Sequence, residues 1–138
     1  MYPEMLVAPM RAELTNNGFK ELKTTDEVVS TLENNEGTTL VVVNSVCGCA
    51  AGSARPGVVA AVKGSEKLPN NLVTVFAGME KEATDKARSY MLPYPPSSPS
   101  IALFKNGELV HMIERHHIEG RSAQMIADNL KLAFEEYC

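Results

Sequence analysis

Apolar positions along the chain change period several times, and each change predicts an element. Leu6, Met10 and Leu14 fall four apart, on one face of a helix over Pro3–Asn17, with Gly18 at its C-cap. Pro9 lies inside that stretch and predicts a later start or a kink. Thr24 and Glu27 have capping-box spacing ahead of Val28, Val29 and Leu32, so a second short helix follows, closed by Asn34–Gly37. Thr38–Asn44 then carries the unbroken run Leu40-Val41-Val42-Val43, the pattern of a central strand covered on both faces. Ala50–Lys63 has helical composition, with Pro56 and Gly57 predicting a kink or break near Arg55. Leu72–Phe76 is a second strand after the turn Pro69-Asn70-Asn71. Glu80–Met91 reads as a charged surface helix with Glu82 and Lys86 spaced for an ion pair. Four prolines in the seven positions Pro93–Pro99 make a stiff loop. Ile101–Lys105 and Glu108–Ile113 flank Asn106-Gly107, which fits a type I′ hairpin turn. A last helix over Ser122–Tyr137 presents Ile126, Leu130, Ala133 and Tyr137.

With the first two helices set aside, the order is β-α-β-α-β-β-α. The first two strands should be parallel with a right-handed crossover, and the last two antiparallel. This is the order of a thioredoxin-like α/β core: one domain over residues 1–138, a mixed central sheet, and added N-terminal helices. In such a sheet the start of the third strand lies beside the end of the first. Ser98-Pro99 is therefore expected close to Cys47-Gly48-Cys49, about fifty residues away in sequence.

Composition narrows the chemistry. The chain has 138 residues, 13 basic and 17 acidic, for a net charge of −4. That balance offers no basic excess for nucleic acid or an anionic membrane. No apolar run approaches the ~18 residues of a membrane span. Met5–Met10 is mildly apolar, but Glu4 precedes it and Arg11 follows it, the reverse of a signal peptide. A cytoplasmic location is expected, where disulfides are rare unless transient and catalytic. The cysteine count of three also leaves at least one thiol unpaired within the chain.

The placement of those thiols matters more than their number. Cys47 and Cys49 sit between a buried strand and a helix, where unpaired N–H groups and the helix dipole favour a thiolate. Cys47 is expected to be the attacking sulfur and Cys49 the resolving one. In extended chain, residues two apart have Cα atoms about 6.6 Å apart, so closing a disulfide requires a turn, for which Gly48 supplies positive φ. The small ring implies strain and a relatively high reduction potential. Simpler readings stand beside this one. The two cysteines could pack as small hydrophobes, or join histidines among His111, His116 and His117 in a metal site, although Cys-x-Cys lacks the usual ligand gap. No metal is expected. His111 reads as a packed or surface strand residue, and His116 and His117 as solvated. Pro99 is either rigid loop or a cis residue exposing backbone groups to an incoming substrate. Cys138 reads as a surface thiol or a secondary redox group.

These residues resemble a known family. Val41-Val42-Val43-Asn44-Ser45-Val46-Cys47-Gly48-Cys49-Ala50-Ala51-Gly52, with Ala54-Arg55-Pro56, is similar to the signature of the bacilliredoxins, thioredoxin-like proteins with a Cys-Gly-Cys motif. The similarity continues in Val73-Thr74-Val75-Phe76-Ala77-Gly78, Lys81-Glu82-Ala83-Thr84, Pro96-Ser97-Ser98-Pro99-Ser100, Arg115-His116 and Ile118-Glu119-Gly120. It extends to Pro9-Met10-Arg11 and Cys138. The resemblance implies removal of bacillithiol, a low-molecular-weight thiol, from mixed disulfides on cytoplasmic proteins. Cys47 would take bacillithiol onto its sulfur, and Cys49 or a second bacillithiol would resolve it. Bacillithiol is then a co-substrate rather than a bound cofactor, and its disulfide reductase a partner. Weak disulfide isomerase activity is also associated with the family. Arg55, Arg115 and His116 are candidates for binding bacillithiol carboxylates, with Ser98 beside them. A general isomerase or oxidant, and a non-catalytic metal-binding protein, are the competing functions.

Overall fold

The computed structural model describes residues 1–33 and 36–138. Helix α1 (Glu4–Thr15) begins ahead of Pro9 and continues through it. Its end is as expected: Gly18 has φ +92°, and the Phe19 N–H reaches back to the Leu14 carbonyl at 3.2 Å. The two-residue strand β1 (Lys20–Glu21) has no counterpart in the sequence reading, being too short to show a period. Helix α2 (Thr25–Leu32) is capped as predicted, with Thr24 Oγ accepting the Glu27 N–H. Of the predicted stop at Asn34–Gly37, residues 34 and 35 lie outside the described residues, and Gly37 has φ +90°.

Strand β2 (Thr38–Asn44) is buried along its whole length. A π-helical turn (Ala50–Ala54) follows it and passes into α3 (Arg55–Gly64), so the break predicted near Arg55 is where the helix changes its winding. Strand β3 (Asn71–Phe76) and helix α4 (Lys81–Ser89) come next. On α4 the ion pair is Lys81–Asp85 rather than the expected Glu82–Lys86, and the Lys86 ammonium lies over the Tyr90 ring. Strands β4 (Ser100–Lys105) and β5 (Glu108–Ile113) meet at Asn106 (φ +52°) and Gly107 (φ +82°), the predicted hairpin turn. A four-residue helix α5 (Arg115–Ile118) precedes α6 (Ala123–Tyr137). Helix α5 was not foreseen, because its signal is the local capping box between Glu114 and His117 rather than an apolar period.

The sheet runs β1-β3-β2-β4-β5. Strand β3 pairs parallel with β1 and β2, whereas β4 is antiparallel to β2 and β5. The unbroken apolar run of β2 divides between two cores. Leu40 and Val42 meet α3 and α6 through Val58, Ala61, Ile126, Leu130 and Phe134. Val41 and Val43 face α2 and α4 through Val28, Leu32, Ala83 and Ala87. Alternate side chains of a strand point to opposite faces, so a central strand needs apolar residues at every position. In register, Val43 faces Ser100, which brings the start of β4 to the end of β2 as expected.

Candidate active site

The site begins where β2 ends. Asn44 and Ser45 are buried polar residues, and a buried arginine accounts for them. Arg55 Nη1 donates to Asn44 Oδ1 (2.9 Å) and to the Ser45 carbonyl (2.7 Å), while its Nε meets Glu13 Oε2 at 2.9 Å. Ser45 Oγ in turn accepts the Cys47 N–H at 2.9 Å. The Cys47 carbonyl then accepts the N–H groups of Ala50 (3.0 Å) and Ala51 (3.2 Å), starting the helical segment. A guanidinium thus holds the loop in place from underneath. Arg55 is only 1% exposed and already paired with Glu13, Asn44 and Ser45, which corrects its candidacy as a carboxylate ligand at the surface.

Cys47 and Cys49 are both reduced and half-buried, with their sulfurs 2.9 Å apart. The helical turn at Gly48-Cys49 brings them together. Gly48 is exposed and is not among the glycines with positive φ in this unbonded pair. The environment separates the two thiols. Cys47 is held below the ordinary thiol range, first by the hydrogen bond from the Cys49 thiol, then by the Cys49 and Ala50 N–H groups and the Arg115 charge, against an opposing cost of burial. Cys49 is pushed up by burial and by the neighbouring Cys47 thiolate. It packs against the core on the α3–α6 side. Of the two thiols, Cys47 is therefore the one more readily ionised, and the thiolate is the nucleophilic form.

Cys47 opens onto a pocket of about 420 Å³, lined also by Tyr2, Gly78, Arg88, Ser98 and Arg115. Arg115 Nη1 donates to the Ser98 carbonyl (3.1 Å), and its Nε pairs with Glu119 (2.6 Å). Pro99 is buried beside this wall, and the Ser98–Pro99 bond is cis. Of the residues anticipated from sequence, Cys47, Ser98 and Arg115 share the pocket. His116 does not line it; its ring is exposed, 3.8 Å from Glu114, and in tilted contact with the His117 ring. Cys138 is exposed and outside the pocket.

Sequence reading missed Arg88 and Tyr2. Both lie far from the motif in the chain, and only the folded sheet assembles them. Among the described residues the one cluster with metal-ligand spacing is Glu114, His116 and His117, which contains no cysteine. His111 is engaged with Asn129 at 2.7 Å. The Cys47–Cys49–histidine ligand set is thus not assembled.

A family model described as disulphide isomerase matches residues 2–138. A bacilliredoxin of Cytophaga hutchinsonii is 64% identical over 136 residues, 99% of each chain. One from Bacillus licheniformis is 58% identical over 99% of this chain and 95% of its own. The chain belongs to the bacilliredoxin family. Oxidised mitochondrial thioredoxin 3 of Saccharomyces cerevisiae superposes with a TM-score of 0.58 at 14% identity, covering 90% of this chain and 98% of that one, and so shows the thioredoxin fold. Family and fold together make this bacilliredoxin-family chain a thiol-disulfide oxidoreductase. Among the described residues no helix is long and apolar enough to cross a membrane.

Proposed function

We propose that the chain removes bacillithiol from mixed disulfides on cytoplasmic proteins. The Cys47 thiolate attacks the bacillithiol sulfur; the new Cys47–bacillithiol disulfide forms as the old bond breaks, and the client leaves as a thiolate. Cys49 then loses its proton, attacks the Cys47 sulfur and expels bacillithiol as a thiolate. Alternatively a second bacillithiol attacks that adduct, giving bacillithiol disulfide and restoring the Cys47 thiolate. On the first route two bacillithiols reopen the Cys47–Cys49 disulfide by successive exchange, so both routes end in bacillithiol disulfide, to which its reductase returns the electrons. One observation carries this reading: the more acidic thiol of the pair faces a pocket bearing arginine, while its partner keeps its proton against the core.

The test compares one client protein carrying either bacillithiol or glutathione. Faster release from the bacillithiol form is expected, and equal rates would leave a general oxidoreductase or isomerase. Cys47→Ala should abolish release. Cys49→Ala should complete the first attack and trap a bacillithiol adduct visible by intact mass; the reverse pattern would exchange the two roles.

A further inference from the structure

Arg88, in the last turn of α4, is half-buried against the active-site pocket, yet among the described residues no carboxylate forms an ion pair with it. The other arginines buried in whole or part differ in this respect. Arg11 pairs with Glu4, Glu21 and Glu80, Arg55 with Glu13, and Arg115 with Glu119. Among the described residues Arg88 donates from Nη2 to the Ser97 carbonyl at 3.3 Å, and its buried Nε has no hydrogen-bond partner. A buried donor left unmade is costly, and more so on a charged group. Burial also holds its pKa below the usual arginine value, with Asp85 the only charge opposing the shift.

The geometry around it is two-sided. Arg88 reaches the Ser97 carbonyl from α4, and Arg115 reaches the adjacent Ser98 carbonyl from α5. Both guanidiniums therefore grip the strand-entry segment next to Cys47 from opposite elements, each with N–H groups remaining. Guanidinium groups suit carboxylates because their donors are planar and forked. Building on the proposed function, we infer that Arg88 is a substrate-binding residue which, with Arg115, takes a carboxylate of the low-molecular-weight thiol half of the mixed disulfide. Such anchoring holds that half, and not the client, against Cys47. It thereby directs attack to the small thiol's sulfur, so that the client leaves. Arg88 replaces the buried Arg55 in this role.

The experiment uses one client bearing bacillithiol, glutathione or mercaptoethanol, the last lacking a carboxylate. The readout is the ratio of kcat/KM on a carboxylate-bearing adduct to that on the mercaptoethanol adduct. In Arg88→Met the ratio should fall about 10- to 100-fold, as expected for a lost hydrogen bond to a charged group. The change should lie mainly in KM, and Arg88→Lys should recover part of it. An unchanged ratio overturns the inference. So does an equal fall on all adducts, or a displaced pH profile of Cys47 alkylation, since either makes Arg88 a support for the loop or the thiolate. If the unsubstituted protein ignores bacillithiol but acts on glutathione adducts, the proposed function fails alone, and the glutathione-to-mercaptoethanol ratio still judges Arg88.

Discussion

Two thiols separated by one glycine differ because only one is placed to receive hydrogen bonds. The Cys47 thiolate is favoured by a hydrogen bond from the Cys49 thiol and by backbone N–H groups at the start of a helical segment, whereas Cys49 packs against apolar side chains. Alkylation proceeds through the thiolate, so its pH profile reads this difference directly. Cys47 should be modified first, and its rate should level off at a lower pH than that of an ordinary thiol. Because the Cys49 thiol is the largest cause of the shift, Cys49→Ala should move the Cys47 profile to higher pH. Iodoacetamide rates measured against pH on both proteins check this, and a profile unmoved by the substitution would transfer the cause to the backbone amides and Arg115. The loop carrying both sulfurs is fixed by Arg55 through Asn44 and Ser45, three polar residues whose burial makes sense only as a connected set.

Secondary elements were legible where a period was long enough to read. The two-sided run of β2, the capping box of α2, the Asn106-Gly107 hairpin and the amphipathic α6 all rest on local patterns, and all are present. The elements that escaped, β1 and α5, have two and four residues, too few to repeat anything. Cys47, Cys49 and Ser98 were legible because a motif or a topology rule points to each, and Arg115 because the family resemblance does. Arg88 was not, since nothing local marks which charged residue of α4 meets the pocket. Gly57 shows a further limit. In sequence it is a helix breaker, yet in the fold it is the contact between α3 and α6. A Cβ added there would lie 2.7 Å from Ile126 Cβ and 2.9 Å from the Ala123 carbonyl oxygen. Helix propensity favours alanine over glycine by about 1 kcal/mol, but overpacking against backbone costs typically ~1–3 kcal/mol. Gly57→Ala should therefore be destabilising on balance. The measurement is a denaturant midpoint lowered at constant slope; a raised midpoint would mean that α6 moves aside freely.

At the scale of the whole molecule, α1 is a layer laid over a thioredoxin-like core and tied to it by charge more than by apolar area. Only Val7, Arg11 and Leu14 of α1 are buried. Arg11 is the main tie: its guanidinium meets Glu80 at 2.6 and 2.8 Å, Glu21 at 3.3 Å and Glu4 at 2.9 Å, and stands over the Phe76 ring. It joins α1 to β1 and to the turn after β3 in a single side chain. Arg55–Glu13 and the hydrogen bond from Asn44 Nδ2 to the Met10 carbonyl join the same helix to the active-site loop. Removing one member of a buried charge network leaves the others uncompensated, at a cost of about 3–5 kcal/mol. In Arg11→Met that cost should fall first on α1, because the sheet and its two cores do not depend on the arginine for their packing. Hydrogen exchange would read this as lost protection across Glu4–Thr15 while the amides of β2 and β4 retain theirs. Exchange rising in step across α1 and the central strands would instead make the helix part of one cooperative unit with the sheet. If α1 loosens alone, the strain reaches the catalytic loop through Met10 and Glu13. Cys47 reactivity should then change in Arg11→Met although no atom of Arg11 lines the pocket.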